Sequence, residues 1–135
     1  MPDMLAMPDM SGSNEVRRLV DKYCSSERHP GLPKFSTHGP LTLSQLWKSN
    51  AANVPGCYAI YGDDGRLRYI GMSLTNVGDR IGSHFSAGTQ KSLFWADGPQ
   101  ATFIEVIEVA NPWEAPSLEQ YLIAHTRDVV YKAGQ

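Results

Sequence analysis

Cysteine is scarce in this chain. Cys24 and Cys57 are the only two among 135 residues, which excludes a disulfide scaffold and a cysteine-built zinc site and makes a reducing, cytoplasmic setting the expectation. Long apolar runs are missing as well. Those present, such as Leu122-Ile123-Ala124, are far too short to span a bilayer core of roughly 30 Å, so no membrane partner is expected. The first residues lack the basic and apolar regions of a secretory signal. A surplus of one charge sign is missing too: 12 Lys and Arg stand against 14 Asp and Glu, a formal net charge of −2. That balance counts against the simplest nucleic-acid binder, in which phosphate contacts show as excess Lys and Arg. What remains is one globular domain, with 41% hydrophobic residues to fill a single core.

Met-Pro-Asp-Met occurs twice within the first ten residues, without helical or strand period, so residues 1–12 are expected to be a disordered leader. Residues 13–52 read as a helical N-terminal extension. Ser13 is the expected N-cap of a helix carrying Val16, Leu19, Val20 and Tyr23 on one stripe and stopping before Ser25-Ser26. His29 to Pro40, with three prolines, reads as an ordered loop, and Thr42 caps a short helix over Leu43 to Lys48.

From residue 53 to 135 the pattern changes. Cys57 to Tyr61 and Leu67 to Gly71 read as strands joined by Gly62-Asp63-Asp64-Gly65, a hairpin signal. Val77, Ile81 and Phe85 mark the buried face of a helix on which Arg80 and His84 form a second pair, one turn apart. Residues 101–109 are apolar on both alternating faces, which predicts a central strand covered on both sides. Pro116 to about Arg127 carries the last helix. The expected fold is α+β (α/β): a small, three-stranded, mainly antiparallel central sheet flanked by helices, one compact domain overall.

The chemistry-bearing residues fall in order along this part. Gly56-Cys57-Tyr58 is followed, eleven residues after the tyrosine, by Tyr69-Ile70-Gly71; then come Ser73, Asn76-Val77, Arg80-Ile81, His84 and, on the last helix, Glu119. Taken singly, each fits a bland role: strand tyrosines pack at a core rim, an Arg-His pair sits on a solvated helix face, and a helical glutamate faces water. As an ordered set at these spacings, they resemble the GIY-YIG nuclease family over about residues 54–126. The resemblance implies a GIY-YIG-like fold and metal-dependent hydrolysis of phosphodiester bonds in DNA, with RNA left open. It assigns Tyr58 to the water as general base or relay, with Tyr69 hydrogen-bonded nearby and cationic neighbours pushing Tyr58 toward the phenolate. It further assigns Arg80 to the scissile phosphate, His84 to orienting the water or a tyrosine, and Glu119 to a hard cation, Mg²⁺ or Mn²⁺. Many members carry an asparagine a dozen or more residues past the glutamate; here Tyr131 and Lys132 occupy that stretch. The alternative reading is therefore a weakly active or inactive nucleic-acid-binding module with the same fold.

Other residues are weaker candidates. His29 and His38 lack acidic or cysteine partners in sequence, His125 lies one turn or so beyond Glu119 on the Leu118-Leu122 side, which favours packing, and Trp47, Trp95 and Trp113 read as core or rim anchors, Trp95 with a lesser chance of stacking a base. The neutral charge balance is itself an average. Residues 11–52 hold six basic against three acidic side chains, residues 53–135 six against nine. The extension is thus expected to pack beside the acidic half and lend it phosphate contacts, with Arg17, Arg18, Arg68 and Lys91 as nucleic-acid-binding candidates. A partner protein or homodimer is expected to supply further affinity.

Overall fold

The computed structural model of the protein describes residues 11–62, 64–85 and 102–126. In chain order it contains helix α1 (Ser11–Ser26), strand β1 (Ser36–Thr42), helix α2 (Leu43–Trp47), a 3₁₀ turn (Asn50–Asn53), strands β2 (Gly56–Tyr61) and β3 (Leu67–Ser73), and helix α3 (Val77–His84). Strand β4 (Phe103–Glu108), a 3₁₀ turn (Pro112–Glu114) and helix α4 (Ala115–His125) follow. The leader residues 1–10, Lys91, Trp95, Arg127 and the Tyr131-Lys132 stretch lie outside the described residues.

The sheet has four strands in the order β1-β4-β2-β3, every neighbouring pair antiparallel. The α+β architecture is as expected, with one strand more than the sequence announces. The extra strand is β1, drawn from the proline-rich segment read as a loop. It pairs with β4 from Ser36↔Glu108 to Thr42↔Phe103, and the register breaks between His38 and Leu41, around Gly39-Pro40. Proline cannot donate to a strand ladder and is confined to edges and irregularities; β1 offers both, which is why a segment with turn composition can close the sheet. β4 is central, as its two apolar faces demand.

Alternation along the strands splits the core in two. On one face Cys57, Ala59, Tyr61, Ile70 and Ile107 meet Val16, Leu19, Val20 and Tyr23 of α1 and Leu118 and Leu122 of α4. On the other, Tyr58, Ile60, Tyr69, Ile104 and Val106 meet Leu46 of α2, Ala51 and Ala52 of the first 3₁₀ turn, and Val77 and Ile81 of α3. Each buried valine, leucine or isoleucine among these contributes about 1.5–3 kcal/mol by leaving water.

Two departures from expectation concern α1. It begins at Ser11 rather than at a cap on Ser13, and it runs through Ser26. Ser13 lies inside the helix, buried, with its hydroxyl donating to Glu105 Oε1 at 3.0 Å. A buried carboxylate claims the hydroxyl that would otherwise have capped the backbone.

Glu105 explains the demand. It is fully buried in the middle of β4 and also accepts from Tyr61 Oη at 2.9 Å and Arg17 Nε at 2.6 Å. An ionised carboxylate is expelled from a protein interior unless paired and hydrogen-bonded, and these three donors supply that. Arg28 does the same for Glu114 through two hydrogen bonds, with both side chains only 3% exposed. His38 Nε2 lies 3.0 Å from Glu108 Oε1. Three polar pairs thus join the basic N-terminal segment to carboxylates of the acidic half. Thr42 caps α2 reciprocally with Gln45, as expected, and no helix among the described residues is long and apolar enough to cross a membrane.

Candidate active site

β2 and β3 run antiparallel with Tyr58 opposite Gly71 and Ile60 opposite Tyr69. Tyr58 and Tyr69 therefore share one face, and their rings stack with centroids 6.1 Å apart. The glycines of the two motifs are spatial requirements. A Cβ at Gly56 would stand 2.1 Å from the Ile107 carbonyl oxygen, and one at Gly71 would stand 2.5 Å from the Tyr58 hydroxyl oxygen. The first lets β2 lie close against β4; the second leaves the Tyr58 ring the room to lie across β3. Beyond Gly71, Arg68 is the extra residue of a bulge, since Tyr61 pairs with Leu67 directly after Ile60 pairs with Tyr69.

The loop after β3 delivers α3 onto the tyrosines. Ser73 Oγ accepts from the backbone N–H of Thr75 and Asn76, and Asn76 Oδ1 caps the helix by accepting from Asp79 N at 3.1 Å. The start of α3 is thereby fixed, and with it the positions of Arg80 one turn on and His84 two turns on. The sequence suggests that Arg80 and His84 share a face apart from the core stripe. The structure separates them: Arg80 is exposed, whereas His84 turns inward beside Ile81 and is buried. Val77 and Ile81 fill the core as expected, while Phe85, half-buried, caps the helix end.

His84 is the hub of the cluster. Its Nε2 lies 2.8 Å from the Tyr58 hydroxyl, and its ring meets Tyr69 edge-on at 4.6 Å. Burial, with the nearby Arg80 charge, pushes its pKa down to about 4, so the imidazole is neutral at physiological pH. Tyr58 is held well above the ordinary phenol range, first by burial and then by Tyr69; Arg80 pulls the other way and loses. The expected push toward a phenolate is therefore outweighed by desolvation. Glu119, half-buried on α4, is raised by burial and countered by Gln120 and Arg80. The Arg80 charge thus acts on Tyr58, His84 and Glu119 alike, and Tyr58 also feels Glu119. All five residues of the expected constellation belong to one electrostatic neighbourhood. α3 brings Arg80 from one face of the sheet and α4 brings Glu119 from the other, with edge strand β3 between them.

The described nucleic-acid-binding candidates sit at different places in the fold. Arg17 sits on the α1 face of the sheet, opposite the tyrosines, and its guanidinium is engaged by Glu105 and the Gly39 carbonyl. Arg18 is exposed on α1. Arg68 pairs with Asp64 at 3.2 Å, and Lys91 is among the residues not described. His29 accepts from Gly31 N, and His125 stacks on Tyr121 and lies 2.8 Å from its carbonyl.

Glu105 is the residue that sequence reasoning missed. The signal was present: an acid at the centre of ATFIEVIEV, on a strand predicted to be buried on both faces, needs partners. Among the described residues, no group of three or more His, Cys, Asp or Glu side chains is gathered to hold an ion. The chemistry of a half-buried carboxylate such as Glu119 fits a hard cation that keeps most of its waters.

In comparison with known proteins, a family model described as GIY-YIG catalytic domain matches residues 54–132 of the 135-residue chain. No curated protein and no solved structure matches it.

Proposed function

This chain belongs to the GIY-YIG family, and from that premise we propose that it hydrolyses phosphodiester bonds in DNA as a metal-dependent endonuclease. One observation supports the reading above the others. The buried Tyr58 hydroxyl lies 2.8 Å from a neutral imidazole nitrogen, a geometry built for moving a proton.

The raised pKa of Tyr58 argues for a relay rather than a free phenolate. In the proposed step, the attacking water gives its proton to the Tyr58 oxygen as the phenol passes its own to His84 Nε2. The water oxygen forms its bond to phosphorus while the bond to the leaving strand oxygen breaks. The relay leaves the phenol neutral and puts the charge on His84, where burial and the neighbouring Arg80 charge work against it. Tyr69 holds the other two rings in place by packing. Arg80, exposed and directed to the same neighbourhood, binds the non-bridging oxygens and stabilises the charge they gain. Glu119 would hold Mg²⁺ or Mn²⁺, which supplies Lewis-acid stabilisation of the leaving oxygen when bound. The free thiols of Cys24 and Cys57 suit the cytoplasmic setting proposed for this activity.

A second reading, a module that binds nucleic acid without cleaving it, is favoured by one feature: Tyr58 is 0% exposed. The test is nicking of supercoiled plasmid with Mg²⁺, then with EDTA. Relaxed circles that require Mg²⁺ and vanish in Tyr58→Phe and Arg80→Ala support the nuclease reading; unchanged cleavage by both variants would defeat it, and binding without nicking would favour the module.

A further inference from the structure

Sequence reading treats Trp47 as an anchor, yet its side chain anchors little. Leu43 and Leu46 take the core positions of α2, and Trp47 remains 49% exposed. Its indole lies against α3: the Cη2 atom stands 3.9 Å from where a Cβ of Gly82 would be. Gly82 lies two residues after Arg80 and two before His84. At 100° per residue, Gly82 and Arg80 occupy opposite flanks of α3, so the indole and the guanidinium are separated by roughly the 10–12 Å width of a helix. A few nucleotides cover that span at about 3.4 Å or more each.

The surroundings of Trp47 have a definite charge character. The chain contains 14 Asp and Glu, but none from Arg28 to Gly62, a stretch that includes α2 and the following 3₁₀ turn. Close to Trp47 in the chain, Ser44, Lys48 and Asn50 are exposed, hydrogen-bonding side chains and one cation. Asp79, in the first turn of α3 three residues before Gly82, puts one carboxylate on the flank of that helix that meets the indole. An exposed aromatic face among hydrogen-bonding side chains, with a lysine next to it in a segment of chain that holds no acid, matches the chemistry of a strand-binding platform: bases stack on the ring while the amine meets a phosphate.

We propose that Trp47 is a stacking platform for an unpaired nucleobase of the substrate, with Lys48 on the adjacent phosphate, a helix width from Arg80. The proposal rests on the nuclease reading and adds to it a substrate class: nucleic acid with single-stranded character on the α2 side of α3. Bases inside a duplex have no free face to offer, so Trp47 discriminates in favour of frayed, flapped or single-stranded substrate.

The test is equilibrium binding of the full chain, in EDTA, to a fluorescein-labelled oligothymidylate single strand and to a duplex of the same length. Trp47→Ala is expected to weaken single-strand binding roughly 5- to 150-fold, the stacking of one base, and to leave duplex binding within about threefold. Trp47→Phe retains most of the affinity. Lys48→Ala lowers the salt slope of single-strand binding by about 0.7, one phosphate contact. Trp113→Ala, which removes a more exposed indole at 67%, changes neither. Thermal melting of each variant reports folding, and Trp47→Gln serves if the alanine variant melts early. Single-strand affinity unchanged in Trp47→Ala, or lowered equally by Trp113→Ala, overturns the proposal. Plasmid nicking by the parent protein separates the two levels. If the parent nicks and Trp47→Ala binds like it, only the platform fails; if the parent neither nicks nor binds any nucleic acid, the nuclease reading fails and takes the platform with it.

Discussion

Gly71 gives up to Tyr58 the space that its own side chain would fill. The two residues face each other across β2 and β3, and a Cβ on Gly71 would lie 2.5 Å from the Tyr58 hydroxyl oxygen and 2.6 Å from the ring carbon that carries it. No carbon approaches that closely without something shifting. The glycine of the second motif therefore exists for the tyrosine of the first, and the hydroxyl reaches His84 because of it. Gly71→Ala should misplace the phenol, lowering nicking at least tenfold and destabilising the fold by about 1–3 kcal/mol through overpacking. Plasmid nicking and urea denaturation on the same preparation check both.

Tyr58→Phe keeps the ring and removes only the oxygen. It should cost about 1–3 kcal/mol of stability, because the buried His84 Nε2 loses a hydrogen-bond partner, while nicking falls by roughly 10²–10⁴, the usual worth of general acid–base catalysis. A phenylalanine variant that still nicks at the parent rate would remove the hydroxyl from the mechanism.

His84 sets a pH signature. Its pKa is lowered from 6.5 to about 4 in the fold, so between these values the unfolded chain binds a proton that the folded one does not. Stability is then fully present above about pH 6.5 and falls as pH drops toward 4, by on the order of 3 kcal/mol if the whole shift is realised. Urea midpoints across pH 4 to 7 should show this slope, and His84→Gln should flatten it.

Glu119→Gln should leave the fold intact, since the side chain is only half-buried, and should raise the Mg²⁺ concentration needed for nicking at least tenfold. Because burial raises the pKa of this carboxyl, protons should compete with the metal at a higher pH than for an exposed glutamate. Mg²⁺ titrations of nicking at several pH values would show it. Equal Mg²⁺ dependence in parent and variant would place the ion elsewhere.

Arg28→Ala leaves Glu114 buried without its counter-charge and should destabilise the protein by about 3–5 kcal/mol. Glu114→Gln should cost less, because the amide oxygen still accepts from the guanidinium. A double-mutant cycle by chemical denaturation gives the coupling.

Much of this was legible beforehand, for identifiable reasons. The hairpin carries its turn chemistry at Asp64-Gly65, with Gly65 at φ 78°; α2 carries its cap at Thr42; β4 carries apolar residues on both faces. These are local signals, and a linear reading captures them. β1 escaped because its local composition, with Gly39 and Pro40, denotes a turn, and only the unpaired edge of β4, remote in sequence, makes it a strand. An i, i+4 pair such as Arg80 and His84 says that two side chains are neighbours without saying which of them the core takes. Glu105 reads in the sequence as surface charge, and only its place on β4 makes it a buried group in need of donors. The Glu105 partner of Arg17 lies 88 residues away in sequence and is visible only in the fold.

The three polar pairs between the N-terminal segment and the acidic half bear on where this domain can be cut. The family resemblance starts at Val54, and a fusion or transplant beginning there looks economical. It would carry Glu105 and Glu114 without Arg17 and Arg28, bare the apolar face that α1 covers, and expose the hydrogen-bonding edge of β4 that β1 occupies. Such an edge recruits whatever strand it meets. A cassette beginning at Val54 should be recovered as aggregate, whereas one beginning at Ser11, which keeps α1 and β1, should be recovered folded.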